Sequence, residues 1–392
     1  MRAATAITGA GSSGVGAHAE RTSISLASEA VSLALADAGL KRSDIDGLIV
    51  HIGAPRGADY DETAAQLGLN VRFASQTWSH GRFGATVLQH AAMAVSCGLA
   101  DHILCLGAYK NSNLGLIGSR ASWGFEEALR FGGGPHGETP HAGFTGPVAA
   151  AAFAARRYFH RYDGSPEKLA AVPLAFRKHA MLNPEARIRK PLTRDDYVSA
   201  PFIVEPLRLL DCSVVVDGAV ALIVTSGERA KDLPSQPVFL LGAQGVHAGP
   251  NEFIFGQPGL GVGQADVFDW KPPGSDQTVY QMAGLKPADV DLLQVYDAFS
   301  PLVLLSLERL GYCGAGEALD FVQGGRIELG GEIPVNTSGG MLSEGHLNGW
   351  SQMMEIVRQL RCQAGQRQVP NAKVAQWGTA LGDSIIFSNS DG

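Results

Sequence analysis

The feature that most constrains the fold is an internal repeat. Residues 38–48 and 283–293 both read Ala-Gly-Leu-Lys, then a short turn with Asp-x-Asp, then the start of an apolar run, at an offset of 245 residues (283 minus 38). In each copy the glycine stands where a helix is expected to end, and the apolar run is typical of a buried strand. A repeated helix–turn–strand unit predicts a chain built from two similar halves.

Strand and helix patterns alternate around both copies of the repeat. After the first copy we expect a helix at residues 84–96 and a buried strand at 102–107. After the second we expect an amphipathic helix at 350–361 and strands near 373–376 and 384–388. This alternation predicts an α/β fold with largely parallel sheets covered on both faces.

The expected division of the chain has three parts. Residues 1–111 with 206–226 form an N-terminal half, and residues 236–392 form a C-terminal half. The loop-rich and charged stretch at residues 112–205 is interpreted as an inserted cap. A chain of 392 residues with 45% hydrophobic content is long enough for such a duplicated core.

Charge and cysteine usage exclude several classes of protein. The net charge is −7 with no long basic run, which argues against nucleic acid as a partner. The five cysteines are scattered, so neither a metal site nor a disulfide framework is suggested, and a reducing cytoplasm is expected. No stretch approaches the ~20 apolar residues of a membrane span, and no secretion signal is evident at the N-terminus.

A glycine-rich stretch near the N-terminus suggests dinucleotide binding but does not support it. Residues 9–14 read Gly-x-Gly-x-x-Gly after a short apolar run. No acidic residue closes a second strand about twenty residues later, where the ribose contact would need it. These glycines are instead expected to form a loop after the first strand.

One histidine lies in a loop rich in glycine. Residues 336–346 end in His346 and include Gly340 among three glycines, which permit backbone angles and close approaches that a side chain would forbid. A histidine held by such a loop near a helix start can act as a base near neutral pH. The alternative is a surface loop in which His346 is incidental.

Three segments resemble the thiolase superfamily, in the same order along the chain. Residues 336–346 resemble its glycine–histidine loop, although Leu347 replaces the usual proline. Residues 211–219 resemble the Asp-Cys-x-x-x-x-Asp-Gly-Ala turn of the lipid-transfer-protein branch, and residues 296–299 resemble that branch's form of the Asn-Glu-Ala-Phe motif. The resemblance implies a thiolase-like fold: two duplicated halves in α-β-α-β-α layers with an inserted cap, usually as a homodimer.

The residues that thiolases use for covalent chemistry are replaced. The family's nucleophilic cysteine precedes a central helix, and here Gly81 takes its place three residues before Gly84. The second cysteine, a general acid/base, is replaced by Gln376, which cannot exchange a proton near neutral pH. Tyr296 stands where thiolases carry an asparagine, and its phenol can donate a hydrogen bond to an oxyanion or, as phenolate, remove a proton.

The remaining groups suit proton transfer and enolate stabilisation. We expect His346, Tyr296 and Asp297 to be catalytic. Backbone donors at Gly81, Gly340 and Gly378 are expected to bind the substrate. Retro-aldol cleavage of a β-hydroxyacyl thioester needs only such groups, whereas acyl transfer needs a nucleophile.

Further polar residues are weaker candidates for the site. His141 in the cap is a candidate substrate contact, and His51, after the first repeat strand, is a candidate polar wall residue. The basic stretches 177–179 and 187–190 are candidates for the phosphates of coenzyme A, or else form a solvated face.

The resemblance extends to function. Cysteine-less members of the lipid-transfer-protein branch, which this chain resembles, act as aldolases that shorten steroid side chains carried on coenzyme A. They commonly work in complex with a small OB-fold protein. Coenzyme A is thus expected as part of the substrate, with no permanently bound cofactor and no metal.

Two other functions stay open at this point. The chain could be an acyltransferase that uses Ser79 or a displaced cysteine as nucleophile. It could also be a non-catalytic subunit that binds an acyl-CoA or a lipid for a partner enzyme.

Overall fold

The computed structural model describes residues 2–18, 20–52, 59–77, 83–111, 147–246 and 278–391. The strands are β1 Thr5–Gly16, β2 Gly47–Ile52, β3 Phe73–Gln76, β4 His102–Lys110, β5 Phe202–Val204, β6 Leu207–Arg208, β7 Asp217–Ser226, β8 Val238–Gln244, β9 Leu292–Val295, β10 Val374–Gly378 and β11 Ser384–Ser388. The helices are α1 Ser23–Ala38, α2 Tyr60–Leu67, α3 Phe83–Ser96, α4 Pro147–Tyr162, α5 Ala171–Met181, α6 Arg194–Ser199, α7 Gly227–Ala230, α8 Thr278–Ala283, α9 Ser300–Arg309, α10 Ala318–Phe321, α11 Gly340–Ser343 and α12 Trp350–Leu360.

Nine strands form one sheet whose two halves have the same topology. The order is β3-β2-β4-β7-β1-β8-β11-β10-β9, and β1 pairs with β8 in antiparallel fashion at the centre. Outward from β1, the pairings with β7, β4 and β2 are antiparallel, antiparallel and parallel. Outward from β8, the pairings with β11, β10 and β9 follow the same sequence of directions. The two halves are thus duplicates, as the repeat predicts.

The two copies of the repeat also match in local detail. Gly39 and Gly284 end their helices with the same left-handed φ of +68°, which favours glycine. The carboxylates of Asp44 and Asp289 then each accept the backbone N–H three residues earlier at 2.7 Å. The repeated sequence therefore encodes one helix end and one turn, used twice.

Helices separate the two halves into layers. α3 packs on β4 and β7, α12 packs on β10 and β9, and the two helices contact each other. α1 covers the opposite face of the first half, and α8 covers the opposite face of the second. Alternate residues of β4 confirm the two faces, because Ile103 and Cys105 join the central core while Leu104 and Leu106 pack toward α1. The two halves of the sheet are joined by only two residue pairs between β1 and β8 and lie on either side of α3 and α12, so the layers follow the order α-β-α-β-α.

The expectation of largely parallel sheets is wrong. Three of the eight pairings in the sheet are parallel, between β2 and β3, β2 and β4, and β9 and β10. The strand that ends each half, β7 or β11, runs antiparallel to both of its neighbours. The alternating pattern identified the parallel pairs at the outer edges, but not the strands that return beside them.

The glycine-rich stretch near the N-terminus is part of a strand and not the expected loop. β1 continues to Gly16 through two register shifts against β7. A Cβ on Gly11 would lie 2.1 Å from the carbonyl oxygen of Ala30, so this glycine permits α1 to pack closely on the strand. In the described part of the chain, no helix is long and apolar enough to cross a membrane.

Candidate active site

The loop that carries His346 is held by buried backbone contacts. The peptide N–H of His346 donates to the carbonyl of Val214 at 2.8 Å, and its own carbonyl accepts the amide of Asn111 at 3.1 Å. Gly345 has a φ of +149°, and a Cβ there would lie 2.6 Å from Val216. The loop therefore reaches its position only with glycine next to the histidine.

The imidazole of His346 contacts three polar side chains. Its Nδ1 lies 2.8 Å from Ser213 Oγ, and its Nε2 lies 2.9 Å from Asn348 Oδ1. Nε2 also lies 3.3 Å from Tyr296 Oη, with the two rings nearly perpendicular. Two of the residues expected to be catalytic are thus within hydrogen-bond reach of each other.

Burial determines the charge of His346. The ring is removed from water, which lowers its pKa from 6.5 to about 4, and the hydrogen bond to Asn348 opposes this only in part. His346 is therefore a neutral imidazole at pH 7. A neutral imidazole can accept a proton at one nitrogen and donate a hydrogen bond from the other.

Tyr296 is placed by the end of β9. Its peptide N–H donates to the carbonyl of Gly378 at 3.2 Å, which ties it to the end of β10. A Cβ on Gly378 would lie 2.7 Å from Leu310, so the glycine permits close packing there. Gly378 therefore holds Tyr296 through its carbonyl, and its role as a backbone donor to substrate stays a prediction.

Asp297 stabilises the loop from within the protein. Its carboxylate accepts the peptide N–H groups of Met341 at 3.0 Å and Leu342 at 3.3 Å, and the amide of Gln352 at 2.8 Å. Burial raises the pKa of this carboxyl to about 7, although these hydrogen bonds favour the ionised form. The carboxylate thus anchors the start of α11, and its catalytic role stays a prediction.

Gly340 permits this anchoring. Its φ is +59°, and a Cβ would lie 2.3 Å from Asp297 Oδ2. The glycine therefore permits the carboxylate to approach the helix start, and its role in binding substrate stays a prediction.

Gln376 is hydrogen-bonded to residues that do not contact His346 through any of the hydrogen bonds described above. Its carbonyl oxygen accepts the hydroxyls of Tyr280 at 2.9 Å and Tyr312 at 2.6 Å, and its amide donates to Ser384 at 2.9 Å. The residue at the position of the family's second cysteine is thus a buried structural amide.

Ser213 and Asn348 were missed by the sequence interpretation. Ser213 lies in the Asp-Cys-Ser turn, where the backbone passes between Ala298 and Met341 and brings its hydroxyl to His346. Asn348 follows His346 by two residues and has a left-handed φ of +51°, which asparagine tolerates well. The available signal was a polar residue inside the motif at residues 211–219 for Ser213, and a polar residue two positions after the histidine for Asn348.

Several other candidates fall outside the site or outside the described residues. Gly81, Ser79 and His141 lie outside the described residues. The basic stretch 177–179 is structural in part, because the guanidinium of Arg177 donates to Ser343 at 2.9 Å and the ring of His179 bonds to the Asn336 carbonyl at 3.1 Å.

The chain is not cysteine-less. All five cysteines are free thiols. Cys212, next to Ser213, has its pKa raised to about 12 by burial and by the nearby Asp211 carboxylate, so it is not a thiolate at neutral pH. Cys97 is exposed at the far end of α3, and Cys105 is buried within β4.

The chain matches one family model and is similar to two enzymes of known activity. A family model described as "Thiolase C-terminal domain-like" matches residues 266–387. The chain is 38% identical to the "17-hydroxy-3-oxo-4-pregnene-20-carboxyl-CoA lyase" of Mycobacterium tuberculosis over 91% of each chain. It is 36% identical to the "Steroid side-chain-cleaving aldolase" of Thermomonospora curvata, over 91% of this chain and 90% of that protein.

Solved structures with the same fold include an aldolase and a thiolase. The structure titled "Ltp2-ChsH2(DUF35) aldolase" superposes with a TM-score of 0.85 at 32% identity, covering 98% of each chain. Human mitochondrial 3-ketoacyl-CoA thiolase superposes with a TM-score of 0.68 at 15% identity, covering 98% of this chain and 99% of that one. The second likeness shows the fold alone.

Proposed function

The chain belongs to the thiolase superfamily, in the lipid-transfer-protein branch, and we propose that it breaks a carbon–carbon bond in a β-hydroxyacyl-CoA by retro-aldol cleavage. The expected thiolase-like fold is confirmed. The observation that carries the proposal is the contact between a neutral His346 and Tyr296, with Nε2 and Oη 3.3 Å apart. This pair can move a proton and hold an oxyanion without a covalent intermediate.

Retro-aldol cleavage requires only these two capacities. A base removes the proton of the β-hydroxyl, the oxygen becomes a carbonyl, and the bond between Cα and Cβ breaks. The electron pair of that bond forms the enolate of the shortened thioester, whose oxygen needs a hydrogen-bond donor. Protonation of Cα then releases a shorter acyl-CoA beside the ketone or aldehyde.

The substrate is proposed to be a coenzyme A thioester with a steroid-like side chain. This proposal rests on the names of two relatives, one a steroid side-chain-cleaving aldolase and one a lyase of a pregnene carboxyl-CoA. Coenzyme A enters as part of the substrate.

A small OB-fold partner and a homodimer are part of the same proposal. The solved structure that matches with a TM-score of 0.85 is titled as an aldolase of two components. We propose that this chain also works with such a partner, in the cytoplasm.

Product analysis tests the proposal. The protein, with and without an OB-fold partner, is incubated with a β-hydroxyacyl-CoA, and the mixture is searched for a ketone and a shortened acyl-CoA. Release of both supports the lyase. A covalent acyl-enzyme detected by mass spectrometry would instead indicate an acyltransferase, and tight binding without turnover, even with the partner, would indicate a carrier subunit.

A further inference from the structure

A chain of hydrogen bonds links the first half of the molecule to His346. It begins at His51, whose Nδ1 lies 2.7 Å from Tyr109 Oη. The indole N–H of Trp350 donates to the same Oη at 2.9 Å, and the side chain of Asn348 also bonds to it. Asn348 in turn contacts His346 Nε2 at 2.9 Å. The network therefore ends on the imidazole of the candidate site.

The direction of these bonds follows from the chemistry of the groups. An indole N–H only donates, so Tyr109 Oη accepts from Trp350. Because Asn348 Oδ1 faces His346, the part of Asn348 that bonds to Tyr109 is its amide N–H, which also only donates. The single proton of the phenol is therefore left for Nδ1 of His51. Burial lowers the pKa of His51 to about 3 and keeps the ring neutral, which leaves one ring nitrogen as an acceptor.

The remaining lone pair of Tyr109 sets the orientation of Asn348. Since the phenol proton points to His51, the oxygen of Tyr109 accepts the amide N–H of Asn348. The carbonyl of that amide then faces His346, as observed at 2.9 Å. A carbonyl only accepts, so Nε2 of His346 must have the hydrogen. Its Nδ1 is then the acceptor for the hydroxyl of Ser213 at 2.8 Å.

We propose that Tyr109, oriented by His51 and Trp350, is a positioning residue that fixes the Asn348 amide and thereby holds His346 in the tautomer protonated on Nε2. The hydrogen bonds of these three side chains reach His346 through Asn348. Their effect on His346 passes through the side-chain amide of Asn348. This amide must flip, so that its oxygen and nitrogen exchange places, if the phenol proton of Tyr109 changes direction.

The tautomer assigns the roles in the retro-aldol step, and this assignment rests on the proposed function. The one hydrogen on Nε2 of His346 is shared between Asn348 Oδ1 at 2.9 Å and Tyr296 Oη at 3.3 Å, so the imidazole also presents a donor to Tyr296. A donor to that oxygen favours the phenolate form of Tyr296. Tyr296 therefore takes the proton of the β-hydroxyl and returns it to Cα of the enolate, while His346 keeps its own proton.

Two substitutions of His51 test the network at its far end. In His51→Leu the proton of Tyr109 loses its acceptor and turns to Asn348, whose amide then flips and forces the hydrogen of His346 to Nδ1. In His51→Asn an acceptor oxygen stands near the former Nδ1 position, so the original tautomer is kept. The readout is the nitrogen chemical shifts of protein labelled with 15N-histidine, with the His346 signals assigned by their loss in His346→Gln.

The activity of these variants provides a second readout. We expect His51→Leu to lower kcat by about 10²-fold, the lower end of what a positioned acid–base group contributes, with KM little changed. His51→Asn should stay close to the wild type. Tyr109→Phe keeps the aromatic packing but removes the phenol, and should populate both tautomers. Tyr158→Phe, which removes another buried phenol hydrogen-bonded to Glu308, is the matched control and should keep its activity.

Two results would overturn the proposal. One is a wild-type His346 protonated on Nδ1, and the other is an identical tautomer in His51→Leu and His51→Asn. Because the spectra need no substrate, the proposal stands or fails apart from the proposed function. If His346 is protonated on Nε2 but the protein has no lyase activity, only the proposed retro-aldol function is contradicted.

Discussion

Each half of the molecule contains a histidine–tyrosine pair, and one member of each pair lies at the same strand end of the repeat. The offset of 245 residues that relates the two halves relates His51 to Tyr296. In the first half the histidine lies at the strand end and bonds to Tyr109 at 2.7 Å. In the second half the tyrosine lies at the strand end and contacts His346 at 3.3 Å. The equivalent strand ends thus carry a histidine in one half and a tyrosine in the other, and each contacts the other residue type from a different element.

The surroundings distinguish the two pairs. Tyr109 is packed under Trp350, and burial raises its pKa far above the ordinary value, so its phenol keeps its proton. His346 lies instead on a glycine-rich loop beside Ser213 and Asn348, both of which are only partly buried. The first pair is therefore a fixed support, whereas the second pair has groups that can exchange protons.

The largest expected effect separates the two pairs by activity. His346→Ala and Tyr296→Phe should each lower kcat by ~10²–10⁴-fold, because positioned acid–base groups contribute that much. Tyr109→Phe, in the first pair, should lose less. The measurement is steady-state release of ketone from a β-hydroxyacyl-CoA, with Tyr158→Phe as control. If Tyr109→Phe and Tyr296→Phe lower kcat equally, the His51–Tyr109 pair is not merely a support and the proposed distinction from the Tyr296–His346 pair is wrong.

The sequence predicted the parts of the site that depend on local pattern. The repeat identified the two halves, and the spacing of glycines in residues 336–346 identified His346. The roles of Asp297 and Gly340 could not be predicted, because a carboxylate that anchors a helix start and one that reacts look alike in a motif. Ser213 comes near His346 only because a distant segment passes beside the loop.

The offset of 245 residues between the two copies of the repeat contained information that the sequence interpretation did not use. Adding 245 to 51 gives 296, so the equivalence of His51 and Tyr296 could have been found from the repeat. Their partners could not, since Tyr109 and His346 come from different elements. The antiparallel direction of β7 and β11 could not be predicted either. Alternation of strands and helices does not specify whether the last strand of each half is parallel or antiparallel to its neighbours.

The second prediction compares one glycine from each half. Gly68 and Gly340 have similar left-handed φ values of +64° and +59°. A Cβ on Gly68 has open space, whereas on Gly340 it would lie 2.3 Å from Asp297. Gly68→Ala should lower the free energy of unfolding by about 1–2 kcal/mol from the backbone conformation alone. Gly340→Ala should lose a further ~1–3 kcal/mol, because the carboxylate leaves its donors.

Urea unfolding of both glycine variants measures this difference. We also expect Gly340→Ala to lower kcat, since α11 leads directly into the loop of His346, and Gly68→Ala to leave it unchanged. Equal losses of stability in the two variants would show that Asp297 does not depend on the absence of a side chain at Gly340.

The third prediction concerns the pH dependence of stability. Asp297 has a pKa raised to about 7 by burial, so between about pH 4 and pH 7 the folded protein binds a proton that the unfolded chain has released. Its contribution to stability is therefore present below pH 4 and is lost as the pH rises to 7. Relative to Asp297→Asn, the wild type should lose on the order of 1 kcal/mol per pH unit in this window. A constant difference in unfolding free energy would place the carboxyl in a different environment.

The smallest expected effect is that of thiol alkylation. Both exposed thiols, Cys97 and Cys362, lie at helix ends away from the contacts of His346 and Tyr296. The thiol nearest the site in sequence, Cys212, contacts the carbonyl of Arg208 and has its pKa raised to about 12, so it reacts slowly. Iodoacetamide should therefore leave kcat unchanged while mass spectrometry shows modification of the two exposed cysteines. A protein with both exposed cysteines changed to serine serves as control, and it should be neither modified nor slower. Loss of activity that follows alkylation of Cys212 would make this thiol part of the reaction, and the half that contains the support pair would then supply a nucleophile.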